Sequence, residues 1–254
     1  MKGRVKLKMV PKIILSVVML VLGYILVYAR PVNRPINEVD IFIHRNYDQF
    51  FLDEEEVRKL MSDKGRTQLE GALSGDLELK LLEDRIKEHA FVKSSVVSRN
   101  MDGSIFVEVE QKELMARLIR ESAKDAYVSE DKELLGVSDV FTARVLLVRG
   151  DFADRMIIQQ HDTLPERDSL LYLIESIHQN PFLRAQIAEL NVDQGGSVVM
   201  HPQVGREKII FGAATDIDEK LRKLKAYYDY VIPAKGWGIY DQINLKYKDQ
   251  IICE

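Results

Sequence analysis

VKSSVVSRNMDGSIFVEVEQ, residues 92–111, reads as two strands joined by a tight turn. In its second half Ile105, Val107 and Val109 alternate with Glu108 and Glu110, the period of a strand with one buried face. Asn100 to Gly103 supplies the turn residues. Upstream, Leu79, Leu82 and Ile86 recur at helical spacing with Leu81 flanking, so residues about 76–89 read as a helix. A polar stretch, Ser62 to Asp76, separates it from an earlier helix opened by Asp53-Glu54-Glu55-Glu56. There Asp53 can cap, Glu56 holds the reciprocal position, Leu52 can staple to Val57, and Val57, Leu60 and Met61 form the apolar stripe. Further upstream, Glu38 to His44 sets Val39, Ile41 and Ile43 against polar partners, which predicts a strand. The order β-α-α-β-β predicts one small sheet with two helices on one face.

Downstream the chain is strand-rich. Asp125 to Glu130, Glu133 to Val137 and Ala143 to Val148 are candidate strands. Pro165 to Gln179 predicts a helix with Leu170, Leu173, Ile174 and Ile177 inward, ended by Asn180-Pro181. Ile187 to Val192, Ser197 to His201 and Glu207 to Phe211 read as a meander turning at Asp193 to Gly196 and Pro202 to Gly205. Asp216 to Tyr228 predicts a last amphipathic helix, with Ile217, Leu221, Leu224 and Tyr228 aligned. Gln242 to Cys253 is a strand-like run.

At the other end, Ile13 to Ala29 is seventeen residues without a charge. As a helix it spans roughly 26 Å, close to the ~30 Å of a bilayer core. Ile13, Leu20, Leu22 and Ile25 would face lipid, and Tyr28 would sit at the interface. Lys2, Arg4, Lys6, Lys8 and Lys12 precede the run, and no acid occurs before Glu38. That bias predicts a cytoplasmic N-terminus and an extracytoplasmic remainder. A cleaved signal peptide is the rival reading, since Val27-Tyr28-Ala29 resembles a cleavage site; both deliver the chain to the same compartment. Residues 30–37, with Pro31 and Pro35, read as an extended linker.

Net charge is −4, but setting those five cations aside leaves 31 basic against 40 acidic residues, near −9. A nucleic-acid binder would show the opposite sign and a basic face. Cys253 is the single cysteine, so no intrachain disulfide and no zinc site built on cysteine pairs can form. His44, His89, His161, His178 and His201 are scattered, without metal-ligand spacing. The chain carries no nucleophile elbow, P-loop or dinucleotide fingerprint. Gly195-Gly196 lies between two strands, where a hairpin turn accounts for it. The acids at 53–56 belong to a helix start, and Asp151 and Asp154 read as a solvated loop. The expectation is no enzyme and no cofactor.

His89 to Leu118, HAFVKSSVVSRNMDGSIFVEVEQKELMARL, resembles the end of a POTRA domain in the bacterial cell-division FtsQ/DivIB family. The phrases that carry it are His89-Ala90-Phe91-Val92, Ile105 to Val109, and Glu110-Gln111 with Ala116-Arg117; Ala90 stands where the family often has Pro. Asp125 to Leu135 resembles the start of the family's β domain, with Glu133 in place of a usual Gly. Tyr240 to Tyr247 (YDQINLKY) resembles a late family strand, with departures at Asn244 and Lys246.

The resemblance implies an α+β protein: cytoplasmic tail 1–12, transmembrane helix 13–29, linker 30–37, POTRA domain 38–112 and β-rich domain 113–254 with flanking helices. It implies a non-enzymatic scaffold at the division septum of the inner membrane. Such a scaffold binds proteins of the FtsB/DivIC and FtsL type and helps regulate septal peptidoglycan synthesis. The partner would add to a sheet edge formed by Tyr247, Lys248, Asp249, Gln250, Ile251 and Ile252, with Tyr247 and Ile251 as anchors. Lys220, Arg222 and Lys223 on the preceding helix would supply charged contacts. Two other classes remain open: a POTRA-bearing assembly or secretion component, which should show POTRA repeats or a β-barrel, and an anchored envelope hydrolase, which should show a convergent catalytic set.

Overall fold

The computed structural model describes residues 10–28, 36, 38–44, 49–62, 77–100, 102–121, 123–158 and 165–254. Most of the basic tail, the linker apart from Ile36, most of the polar stretch at 62–76, and His161 lie outside the described residues. The described parts form a mixed α+β structure of two units interleaved along the chain. The first gathers described residues of Met1–Phe42, Glu54–Ile86 and Ser95–Val109; the second those of Ile43–Asp53, Lys87–Ser94 and Glu110–Glu254.

Helix α1 (Val10–Tyr28) comes first. Its described side chains are Ile14 and Ser16 to Tyr24, all exposed. Leu20 and Leu22, expected in an anchor, are 71% and 52% exposed, whereas the side chains of Ile13, Ile25 and Tyr28 lie outside the described set. Over the described residues, no helix is long and apolar enough to cross a membrane.

The next elements are β1 (Val39–His44), α2 (Glu54–Met61), α3 (Leu79–Lys87), β2 (Val92–Arg99) and β3 (Ile105–Gln111), in the order β-α-α-β-β. Helix α2 starts on three acids and ends on Arg58 and Lys59, matching its dipole at both ends. Val57 and Met61, one turn apart, are buried; Leu82 and Ile86 repeat that spacing on α3. The three strands form a sheet in the order β1-β3-β2. Side-chain bonds pin the helices to it. Arg58 Nη2 donates to Val39 O at 2.8 Å, and Ser95 Oγ donates to Glu83 O at 3.0 Å. The Val97 amide donates to Glu83 Oε1, also at 3.0 Å.

The second unit is built on β4 (Leu114–Leu118), β5 (Ala126–Ser129), β6 (Leu134–Gly136) and β7 (Leu146–Arg149). Then come α4 (Asp151–Ile158), α5 (Pro165–Gln179), α6 (Pro181–Gln186), β8 (Ile187–Val192), β9 (Ser197–Pro202) and β10 (Lys208–Ala213). Helix α7 (Ile217–Ala226) continues into a π-helical turn, Tyr227–Val231, and α8 (Ile232–Lys235); β11 (Gln242–Asn244) and β12 (Ile252–Cys253) close the chain. The strands form one sheet in the order β12-β11-β10-β9-β8-β7-β4-β5-β6. The expected meander, β8 to β10, is antiparallel, whereas β7–β8 and β10–β11 pair in parallel through helical crossovers and β4–β7 in parallel through a connection that contains β5 and β6. Leu170, Leu173, Ile174 and Ile177 of α5 are buried, as their spacing predicts, in a core shared with Val148, Leu190, Met200 and Phe211.

Several expectations change. Asp151 and Asp154 do not lie in a solvated loop: they sit in the first turn of α4, whose Phe152, Ala153 and Met156 enter the core. Ala143 to Val145 precede β7 rather than joining it, and Ala143 N donates to Tyr127 Oη at 3.2 Å. Asn180 both follows α5 and caps α6, its Oδ1 accepting from the amides of Phe182 and Leu183. The run from Gln242 to Cys253 is two short strands that pair with each other, because the chain turns back at an exposed segment.

Within the second unit, the buried Gln49 acts as a piece of strand. Its Oε1 accepts from Leu114 N at 3.1 Å and its Nε2 donates to Leu114 O at 3.2 Å. Leu114 is fully buried, so both of its backbone groups depend on this amide. Replacing Gln49→Met keeps the length and removes both bonds. The expected loss is roughly 2–4 kcal/mol of stability, read from the denaturant midpoint at unchanged slope.

Candidate functional site

One end of the nine-stranded sheet is β12. Strands pair here only because the C-terminal residues fold back on β11, with Ile243 opposite Cys253 and Asn244 opposite Ile252. Gln242 and Glu254 exchange both backbone bonds: Gln242 N donates to Glu254 O at 3.0 Å and Glu254 N to Gln242 O at 2.9 Å. In an antiparallel pair such exchanging positions alternate with positions whose N–H and C=O point to the other side. The peptide groups of Cys253 therefore face away from β11, where no strand among the described residues pairs with them.

The side chains sort by the same alternation. Cys253 and Ile251 pack against the main core, on the side of the buried Ile243. Ile252 shares the opposite face with Asn244. Tyr247, Lys248, Asp249 and Gln250 form the exposed turn between the strands, Tyr247 at 46% exposure and Asp249 in the left-handed region at φ 56°. The segment read as a receiving strand is thus mostly turn, with only Ile252 of its six residues in β12. Ile251, expected as a partner anchor, is committed inward. Cys253 is the position sequence reasoning passed over, treating it only as a lone thiol. Burial raises that thiol's pKa.

Helix α7 covers the neighbouring strands, and its lysines are used differently from expectation. Lys220 is buried: its ammonium donates to Ala213 O at 2.8 Å and lies 4.8 Å from the centre of the Phe211 ring. Burial lowers its pKa. Lys223, with only 14% of its side chain exposed, donates to Leu245 O at 3.1 Å and Tyr247 O at 2.6 Å, with Glu219 at 3.6 Å. Both ammonium groups complete carbonyls left over where β10 and β11 stop, so they position the edge from within. Arg222 is the exposed cation of the three, its Nε donating to Asp218 O at 3.3 Å.

Elsewhere, His178 Nε2 lies 2.6 Å from Glu113 Oε1, a largely buried pair bridging residues 65 apart. Among the described residues no group of three or more His, Cys, Asp or Glu could hold a metal ion. What the edge offers is a backbone amide and carbonyl with no strand partner among the described residues.

Since Lys223 ties the turn after β11 to α7, Lys223→Met should destabilise the domain by about 1.5–3 kcal/mol. Hydrogen exchange should quicken first at the amides of Leu245 and Glu254, before the meander amides. Uniform protection across the sheet would show that the lysine is not what holds the turn.

No curated protein matches the chain. Residues 113–254 match the family profile described as FtsQ/DivIB, C-terminal related. That match takes in all nine strands of the larger sheet and the open edge at β12, and it spans more than half of the sequence. On this footing the chain belongs to the FtsQ/DivIB C-terminal related family of cell-division proteins.

Proposed function

We propose that this protein is a non-enzymatic scaffold of the divisome. It is anchored by Ile13 to Ala29 with its N-terminus in the cytoplasm, and its β-α-α-β-β region serves as a POTRA domain. Its β-rich domain binds FtsB/DivIC- and FtsL-type partners at the division septum. Several features support this reading. The family membership supplies the cell-division context. The described side chains of α1 include Ile14, Val17, Val18, Met19, Leu20, Val21 and Leu22, all exposed, and a helix apolar on every side needs an apolar surrounding. The five cations before it favour retention of the N-terminus in the cytoplasm.

The observation that carries the partner reading is the outward peptide group of Cys253 at the end of the sheet. A partner segment laid along β12 takes the Cys253 amide and carbonyl as hydrogen-bond partners, and its alternate side chains meet Ile252 and Tyr247. The two lysines act as internal braces for that edge, and Arg222 is the cation on α7 left to meet an acidic partner residue.

Proline at 253 removes the outward N–H and leaves the bonds between Gln242 and Glu254 in place, the one setting in which a sheet edge tolerates proline. Full-length Cys253→Pro should bind a purified FtsB/DivIC-type partner at least about tenfold more weakly, a loss of about 1.4 kcal/mol. Cys253→Ala, which keeps the amide, should bind as the parent does. Undiminished binding by a folded Cys253→Pro would rule out strand addition at this edge.

A further inference from the structure

Glu207 is the most isolated polar side chain of the β-rich unit. It is 1% exposed, and both of its carboxylate oxygens find no hydrogen-bond partner among the described residues. The Tyr228 hydroxyl beside it is likewise buried and without a partner in good geometry, although it lies close to both Glu207 and Gln186. Leaving three oxygen atoms uncompensated in one place is costly, and folded proteins do so where a missing group supplies the partner.

The surroundings indicate the chemistry of that group. The Tyr228 ring has Phe182 on one side, centroids 5.5 Å apart, and Trp237 on another at 6.0 Å. An aromatic face attracts cations, and this cluster already holds one: Lys225 Nζ lies 5.3 Å from the centre of Phe182. Trp237 is half exposed and stands between Gly236 (φ 91°) and Gly238 (φ 72°), backbone conformations that glycine adopts without strain. Tyr228 itself belongs to the π-helical turn, a distortion that in other proteins often marks a functional position.

We infer that Glu207, Tyr228 and Trp237 form a binding site for an aliphatic guanidinium, the group carried by an arginine side chain. Both Glu207 oxygens being free matches the two-pronged fork of a guanidinium, which an ammonium does not reproduce. The indole of Trp237 stacks on the guanidinium plane, and the Tyr228 hydroxyl accepts a remaining N–H. Entry requires Trp237 to move outward. The site uses none of residues 247–254, so its failure would leave the partner reading intact.

Trp237 is the chain's single tryptophan, so its fluorescence reports the site directly. Titrating the full-length protein with N-acetyl-arginine amide should give a saturable change in Trp237 emission. The neutral citrulline counterpart should give none, and N-acetyl-lysine amide should bind at least tenfold more weakly. Glu207→Gln should weaken the arginine response at least tenfold while leaving the melting temperature unchanged or higher, because it removes an unpaired carboxylate. Equal responses to arginine and citrulline, equal responses to arginine and lysine, or undiminished arginine binding in Glu207→Gln would each overturn the assignment. So would a marked fall in the melting temperature of Glu207→Gln, since it would mean the carboxylate is already satisfied inside the fold.

Discussion

Every peptide group that leaves a helix or a strand inside this protein must be given another partner, and side chains placed at element ends do most of that work. Gln49 completes Leu114, and Gln111 Oε1 accepts the amide of Phe51. Asn180 caps α6, and Asp193 Oδ1 accepts from Gly195 and Ser197 to close the β8–β9 hairpin. Lys220 and Lys223 do the same for the carbonyls where β10 and β11 stop. Against so complete a set, the exceptions stand out. Among the described residues they include the outward peptide group of Cys253, Gln111 Nε2, and the pair of side chains Glu207 and Tyr228.

The sheet's two ends are treated differently. Length does not distinguish them, since β12 has two residues and, at the other end, β6 has three. Beside it Lys132 lies in the left-handed region and pairs with Glu175 at 3.0 Å, while Lys112 pairs with Glu133. Charges and a tight turn blunt that end. The β12 end has a core-packed strand face and an exposed turn with a tyrosine. What sets the β12 end apart is that Lys220 and Lys223 brace it from behind.

Much of this was legible in the residues, where the signal was local. The meander turns, the helix Pro165–Gln179 and the β-α-α-β-β order follow from alternation, helical spacing and turn chemistry within a few residues. Parallel pairing was not legible, since Ala116 beside Leu146 and Lys208 beside Gln242 depend on contacts far apart in sequence. Helix α4 shows the limit from another side. Asp151 and Asp154 carry the same N-terminal acidic signal as residues 54–56, and α4 is as long as α2, but its apolar positions Phe152, Ala153, Met156 and Ile157 come in adjacent pairs without the capping-box pattern that marks α2. Lys220 and Lys223 look like the polar face of an amphipathic helix in any linear reading. Their long apolar stems let the ammonium groups reach carbonyls that become available only once β10 and β11 have been placed.

The segment at the end of α7, a π-helical turn, serves two neighbouring tasks. The buried stripe of α7 runs through Ile217, Lys220, Leu221 and Leu224, and spacings of three and four from Leu224 carry it to Tyr227 and Tyr228. Here both Tyr227 and Tyr228 are buried, with their rings 5.3 Å apart and nearly perpendicular. Tyr227 lies near Tyr240 and Cys253, behind the strand edge, where burial and nearby Glu207 push its pKa up to about 12. Tyr228 lies against Phe182 and Trp237, where burial raises its pKa as well. Adjacent on one buried stripe, the two tyrosines meet different neighbours, Tyr227 behind β12 and Tyr228 in the aromatic cluster beside Glu207.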